Sequence, residues 1–427
     1  MTAVRILHFA DLHLGVESGG RVDPSTGLNQ RVSDVLDRLD EVVSCALDEG
    51  VHAVLFAGDA FKHQHPTPTL QKLFAERVRR LARGGVTVFL LIGNHDLPKM
   101  AALAHPFSIY HALEVERVVV GDRAQVYRLP LGGGLPDLQV AALPHFSRQR
   151  VLSRLPAELA DPDKAIEQAI QETVRSLGDA VDPALPAVFC GHCHVNQSDI
   201  GPGQALFGVS DLEVTMSTLA STTAFPYFAL GHVHKRQVLR TDPFVAYSGS
   251  LERVDFGEGE TVKVHRDRVT RSPAEDKGFY MFDLRQDGGR WGLGAAPTFR
   301  TVGARRFVTV HVDVTGQPDP TAAAIAELGR ADLDPDGCVV KVVVHLDTLD
   351  RPRLVHRDVK EALREAHDVV VVAQADMESG RVRDPRFATR MGPAEALARY
   401  LETREDWAED REALLAMGTA LIEEVGS

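Results

Sequence analysis

The sequence predicts an α/β body built on parallel strands, followed by a small α+β unit and two terminal helices. Three observations predict it. Over the first 92 residues, short apolar runs alternate with amphipathic helical patterns. Each apolar run ends in a polar cluster rich in Asp, His and Gly, where ligands bind in open α/β sheets. Beyond about Pro273 the pattern changes to strands near 307–314 and 338–346 and a helix near 357–366.

The first strand is Val4 to Phe9, ending at Asp11-Leu12-His13. Val32, Val35, Leu36, Leu39, Val42, Val43, Ala46 and Leu47 then recur at three- and four-residue steps, the stripe of an amphipathic helix. Val51 to Phe56 forms a second strand ending at Gly58-Asp59. A helix over about 69–83 leads to Val86 to Ile92, which ends at Gly93-Asn94-His95-Asp96. Right-handed crossovers then place the strands parallel. The arrangement recurs where Ala187 to Cys190 meets Gly191-His192, and where Tyr227 to Leu230 meets Gly231-His232-Val233-His234. Residues 242–260 alternate as a strand and then turn on glycines. A polar stretch over 375–392, with four arginines between Gly380 and Gly392, reads as a linker before helices near 394–404 and 407–425.

Length and composition bound the function. At about 150 residues per domain, 427 residues suggest three folding units. With 44% hydrophobic and 25% charged residues, the chain is neither mainly disordered nor fibrous. Lys+Arg less Asp+Glu, 47 − 60, gives −13, so there is no overall basic footprint for nucleic acid. Such binding needs a local positive site, a bound metal or a basic partner. Four cysteines are too few for a disulfide scaffold. Arg5, Asp11 and two histidines within the first 13 residues exclude a signal-peptide core, and Val86 to Ile92 is far short of the ~20 residues that span a bilayer. The expectation is a cytoplasmic protein without a membrane partner.

The chemistry gathers in Asp11, His13, Asp59, Asn94, His192, His232 and His234, with His95 beside them. Carboxylate and imidazole together suit divalent first-row metals. Seven donors exceed one ion's needs but suit two ions sharing a carboxylate, about 3.5–4 Å apart and clamping a phosphate. Two carboxylates against two dications leave the site positive, and Asn94 adds a donor without adding charge. Bound water in such sites drops in pKa from about 15.7 to about 7, so no side-chain base is needed. His95 is expected off the metals, giving a proton to the leaving oxygen or holding the phosphate, with Asp96 orienting its ring. Lys62 and His63 are candidates for a further phosphate contact. Taken singly, each Asp-x-His or Gly-His is an ordinary structural feature, and Gly58-Asp59 an ordinary turn; their repetition after successive strands carries the inference. Cys190-Gly191-His192-Cys193-His194 matches a haem-attachment pattern, but covalent haem requires export, and His192 fits better as a metal ligand.

At these residues the chain resembles the calcineurin-like metallophosphoesterase superfamily. Within it, three stretches are similar to the SbcD family of DNA double-strand-break repair nucleases: Gly58 to Lys62 with Pro66, Tyr227 through Gln237, and Tyr247 through Glu258 with Lys277-Gly278-Phe279 beyond. The stretch ending Ser250-Leu251-Glu252-Arg253-Val254-Asp255-Phe256-Gly257-Glu258 is the most discriminating. The resemblance implies a metallophosphoesterase sandwich with helices flanking its sheets (1–272), an α+β capping domain (273–374), a linker (375–392) and a helical partner-binding segment (393–427). It implies two ions, expected to be Mn2+: one on Asp11, His13, Asp59 and His234, the other on Asp59, Asn94, His192 and His232, with His95 catalytic. It also implies a homodimer that cuts DNA ends and hairpins in complex with an SMC-like ABC ATPase of the SbcC type. Archaeal and eukaryotic relatives carry a second active-site histidine where this chain has Lys62, and His63 stands next to it as a replacement. His194 competes with His192 as ligand; His192, directly after the strand and glycine, is preferred.

The terminal stripes, Leu397, Tyr400 and Leu401 and then Leu414, Leu415, Leu421 and Ile422, are expected to dock on the ATPase. The competing functions are a phosphatase or cyclic-nucleotide phosphodiesterase on the same core, and a scaffold whose metals only hold the fold.

Overall fold

The computed structural model describes residues 2–98, 103–153, 161–201, 204, 213–265, 268–375, 397–398, 401 and 411–426. In chain order, β1 (Ala3–Phe9), β2 (Ala53–Phe56), β3 (Thr87–Leu91) and β4 (Val118–Gly121) lie parallel and side by side. The crossovers from β1 to β2 and from β2 to β3 are α1 (Gln30–Asp48) and α2 (Pro68–Arg83). A second set follows: β5 (Gln125–Leu129), β6 (Leu138–Leu143), β7 (Ala187–His192), β8 (His194–Val195), β9 (Glu213–Val214), β10 (Tyr227–Gly231), β11 (Gln237–Thr241) and β12 (Phe244–Tyr247). Apart from the short β8–β9 pair, these form a sheet of order β11-β12-β10-β7-β6-β5, in which β6, β7, β10 and β12 are parallel. Then come β13 (Glu260–His265), β14 (Arg268–Ser272), β15 (Gly278–Asp287), β16 (Arg290–Leu293), β17 (Thr298–Thr301), β18 (Phe307–Asp313), β19 (Val339–Leu346) and β20 (Asp368–Ala375). β15 returns to the first sheet, antiparallel to β1, and carries β16 and β17. The third sheet runs β14-β13-β18-β19-β20.

The first two sheets face each other across a shared apolar core. Ile6, Leu55, Phe89 and Leu91 from one meet Val140, Val188, Tyr227 and Ala246 from the other, all essentially unexposed. Residues of these strands are apolar on both sides because the outer faces are covered too. On one outer face α1 buries Val32, Val35, Leu36, Leu39, Val42 and Val43, and α2 buries Phe74, Val78 and Leu81. Both helices start as the sequence dictates: Asn29 caps the first through Arg31 N, and Thr67 caps the second just before Pro68. The helix Pro162–Asp179 covers the opposite face through Ile166, Ile170, Val174 and Leu177. This four-layer sandwich is the architecture the motifs implied.

Sheet membership interleaves around the expected division at 272/273. β13 and β14 belong to the third sheet, whereas residues 278–301 return to the first, because β1 would otherwise present an open edge that β15 closes. The third sheet has its own apolar core, Val262, Val310, Val342 and Val371 beneath the helices Pro320–Arg330 and His356–Glu361. A buried charge knot ties it to the body. Arg305 Nε donates to Asp34 at 2.6 Å, Arg31 donates to Asp34 at 2.7 Å and to the Arg253 carbonyl at 2.6 Å, and Arg253 donates to the Arg305 carbonyl at 2.8 Å.

The helix Arg411–Gly426 matches the second terminal stripe. Leu401 is buried, and Leu397, Leu414, Leu415 and Ile422 are half-buried. A Cβ on Gly418 would run into Leu397, so the two segments lie against each other there. Tyr400 and residues 376–392 of the expected linker lie outside the described residues, as does the side chain of Leu421. Among the described residues, no helix is long and apolar enough to cross a membrane.

Candidate metal centre

The carboxyl ends of β1, β2 and β3 in one sheet and of β7 and β10 in the other open onto the same rim. Backbone pairing continues past the strands: Asp11 N donates to the Gly58 carbonyl, His13 N to Asp59 and Leu14 N to Ala60, at 2.8–3.0 Å. The loops that bear the polar residues are therefore locked to one another. The locking strains them. Among the described residues, seven non-glycines have positive φ, and four are Asp11 (53°), His13 (46°), Asp59 (61°) and His232 (99°). Such conformations cost of order 1–3 kcal/mol each and persist where function requires them. The glycines beside them make room. Gly58 has φ +99°, and a Cβ there would strike His192 Nδ1; a Cβ on Gly93 would strike the Asp59 carboxylate.

These constraints bring the predicted donors together. His13 Nε2 lies 2.9 Å from His234 Nε2, and His192 Nε2 lies 2.9 Å from Asn94 Oδ1 and 3.4 Å from Asp59 Oδ2. His232 Nδ1 is 3.1 Å from Asn94 Oδ1. Candidate ligand atoms fall within 4.8 Å of one another in three overlapping groups: Asp11, His13 and His234; Asp11, Asp59 and His192; His13, Asp59 and His95. Asp11, His13 and Asp59 each belong to two of them, so the groups form one continuous cluster. The set fits divalent ions on chemical grounds. Two imidazole nitrogens at 2.9 Å, with His13 Nδ1 buried and unpartnered, form a cluster that a cation would satisfy better than they satisfy each other.

Two of the rings have an acceptor for the nitrogen away from the cluster. His192 Nδ1 donates to the Ala57 carbonyl at 2.7 Å, and His234 Nδ1 donates to the Glu258 carboxylate at 3.0 Å. Both rings thus turn Nε2 lone pairs inward, the usual arrangement behind metal-binding histidines. Burial pushes the Asp11 carboxyl up from its ordinary value. Burial would do the same to Asp59, but the surrounding His192, His95 and His13 outweigh it and hold it well below the carboxylate range. For Glu258, burial is again outweighed, here by Lys277 and the His234 hydrogen bond, leaving its pKa at about 2.

Around the cluster lies a cleft of about 910 Å³, lined among others by Lys62, His63, His65, His95, His194, Glu213 and Asp255. His194 lies in the cleft 3.7 Å from Glu213, while fully buried His192 sits among the donors, so the geometry favours His192 as ligand. Lys62 and His63 reach the cleft wall, and Lys62 adds a contact through its main chain: its carbonyl accepts His95 Nδ1 at 2.8 Å.

Asp96 does not orient the His95 ring. Its carboxylate accepts from the backbone N–H groups of Asp59 (2.9 Å), Gly93 (3.0 Å) and Ala60 (3.1 Å), so it clamps the two turns that carry Asp59 and Asn94. The Lys62 carbonyl takes the orienting part. His8, a strand residue in the sequence, is a core residue bonded to the Tyr227 hydroxyl at 3.0 Å, and burial lowers its pKa to about 3. Cys190 and Cys193 are free buried thiols. Sequence reasoning missed His145, whose ring stacks 6.2 Å from that of His232. Its signal was available, since it follows the end of β6 as the other histidines follow theirs. It also missed Gln204, which accepts from His234 N at 3.1 Å and donates to the His232 carbonyl. Gln204 lies on no recognisable strand end.

A profile of the calcineurin-like phosphoesterase family matches residues 4–236, more than half of the chain. The chain belongs to the calcineurin-like phosphoesterase family. The matched span holds every donor named above, from Asp11 to His234, and stops short of Glu258 and the third sheet. Among curated relatives, the chain is similar to the SbcD component of the SbcCD nuclease of Bacillus subtilis, 30% identical over 270 residues, 61% of this chain and 64% of that one. The SbcD component of Escherichia coli K12 is 28% identical over 274 residues, with the same coverage. The DNA double-strand break repair protein Mre11 of Archaeoglobus fulgidus is 24% identical over 371 residues, 82% of this chain and 70% of that one. The chain thus spans a little less than two thirds of the length of the two SbcD proteins.

Proposed function

We propose that this phosphoesterase is a two-metal DNA nuclease of the SbcD and Mre11 kind, working on DNA ends and hairpins as a homodimer with an SbcC-type ATPase in double-strand-break repair. The observation that carries it is one continuous cluster of Asp11, His13, Asp59, His192 and His234, with Asn94 and His232 beside it, in a chain whose named relatives are nucleases and DNA repair proteins. The names of these relatives lend no support to a phosphatase or a purely structural role.

Asp11, His13, Asp59 and His234 would hold one divalent ion, and Asp59, Asn94, His192 and His232 a second, Mn2+ being the expected metal. When bound, such ions clamp a phosphodiester and make water acidic enough to attack it at neutral pH. The protein's own groups do the rest. With Nδ1 committed to the Lys62 carbonyl, the His95 ring keeps Nε2 for the substrate, to hand a proton to the leaving oxygen or to hold a phosphoryl oxygen. Lys62 offers one cationic side chain on the cleft wall, and His63 and His65 offer ring nitrogens for hydrogen bonds. Glu17, Glu213 and Asp255 line the same cleft, so the ions would have to supply the positive field a polyanion needs. The helix Arg411–Gly426 and the segment around Leu401 are the part proposed to dock on the ATPase.

The test is incubation of the chain with its ATPase, Mn2+ and linear or hairpin duplex DNA. Metal-dependent cleavage is expected; turnover of a small phosphomonoester with intact DNA would refute the nuclease assignment. Anomalous scattering from a Mn2+-soaked crystal should show two neighbouring peaks.

A further inference from the structure

The stretch Ser250–Glu258 is the most discriminating part of the family resemblance, yet none of its residues belongs to the donor set. The structure shows what it encloses. Glu258 is 4% exposed, and its two carboxylate oxygens divide their partners. Oε1 takes His234 Nδ1 at 3.0 Å. Oε2 takes Lys277 Nζ at 2.7 Å, Val254 N at 3.2 Å and Ser250 Oγ at 3.3 Å. Lys277 Nζ also donates to Ser250 Oγ at 2.9 Å and to the His234 carbonyl at 3.0 Å. The loop therefore curls around one carboxylate, and that carboxylate presents one oxygen to the far side of His234.

We infer that Glu258 is a positioning residue for His234, with Lys277 as its counter-ion. A carboxylate facing Nδ1 keeps the proton on that nitrogen, so Nε2 carries the lone pair. It also fixes the ring plane and raises the ring's basicity. A latch that merely closed the loop would need only the Oε2 side, where Lys277, Val254 and Ser250 already satisfy a buried charge. The Oε1 bond serves the histidine. Lys277 fixes the other end of the same residue through the His234 carbonyl, and Ser250 N donates to that carbonyl at 3.0 Å. Main chain and ring are thus held by one ion pair. Glu258 also immediately precedes Gly259 and β13, so the carboxylate sits where the third sheet joins the rim of the sandwich. The assignment rests on the metal reading proposed above.

The test is stepwise Mn2+ binding to the full chain, followed by electron paramagnetic resonance of the free ion. The wild type is expected to take up two ions. Glu258→Gln should weaken one step by about 10–100-fold, the usual effect of removing such a partner, and leave the other within threefold. His234→Asn marks which step belongs to His234, and adding Glu258→Gln to it should cause no further loss. Should Glu258→Gln fail to fold, with Glu275 at 3.6 Å left as the counter-charge of Lys277, the charge-balanced Glu258→Gln/Lys277→Gln variant, whose amide can still donate to the His234 carbonyl, carries the same expectation. Unchanged affinities overturn the inference. So does equal weakening of both steps, or an additive loss in the His234→Asn background, since either marks general loosening. Failure of the wild type to bind Mn2+ is a different result and removes the metal reading itself.

Discussion

His13 and His234 bring their Nε2 atoms within 2.9 Å, and only His234 has an acceptor for its other nitrogen. Together with positive φ at Asp11, His13, Asp59 and His232, this makes the rim a place of stored strain. A divalent ion would relieve the facing nitrogens. Metal should therefore stabilise the folded chain by mass action, by about 2.7 kcal/mol at a hundredfold excess over Kd. Thermal melts with Mn2+ and with chelator should differ by several degrees. Identical melts would show that the ion does not bind the folded rim.

His95→Asn separates chemistry from metal binding. The contact between residue 95 and Asp59 Oδ1 is made by the backbone N–H, at 2.8 Å, so replacing the ring leaves it intact. An asparagine amide can still donate to the Lys62 carbonyl. Both ions should be retained while DNA cleavage falls by about 10²–10⁴-fold, the range for losing a general acid. Metal analysis beside a cleavage assay checks this, and full activity would remove His95 from the reaction.

Asp96→Ala should behave in the opposite way. It strips three buried N–H groups, on Asp59, Gly93 and Ala60, of their acceptor. At about 1–3 kcal/mol for each donor left unsatisfied, a loss of roughly 3 kcal/mol or more is expected in urea denaturation. Mn2+ uptake should weaken with it, because the clamped turns carry Asp59 and Asn94. Wild-type stability in Asp96→Ala would contradict the clamp.

Much of this site was legible because strand ends announce themselves. An apolar run followed by Gly-Asp or Gly-His needs no tertiary information, and the parallel register then brings separate ends to one rim, as Gly231 beside His192 shows. The stripe of α1 was legible for the same reason, since it buries one continuous face. What stayed hidden depends on contacts far apart in sequence. Nothing near Asp96 says that its carboxylate will serve the backbone of Asp59, 37 residues away. The orienting carbonyl of Lys62 is main chain and leaves no mark in the side-chain pattern. Residues 278–301 rejoin the first sheet because of the edge of β1, a pairing between residues such as Ile6 and Phe282 that local periodicity cannot contain.

Asp34 gives the chain a defined acid sensitivity. Burial would raise its carboxyl, but hydrogen bonds and charge from Arg305, joined by Arg31, outweigh burial and hold it below its ordinary value. A carboxylate whose folded value is depressed contributes stability above its unfolded value, near 3.9, and loses it as pH falls through the folded value. Asp34→Asn leaves Arg31, which is fully buried, and Arg305 short of a counter-charge, at a cost of about 3 kcal/mol at neutral pH. The gap between wild type and Asp34→Asn in urea midpoints should therefore be full at pH 7, intact at pH 5, and shrink below about pH 4 as Asp34 itself takes up a proton. A gap that stays constant from pH 7 to pH 3 would mean that the Asp34 charge does not hold the third sheet to the body.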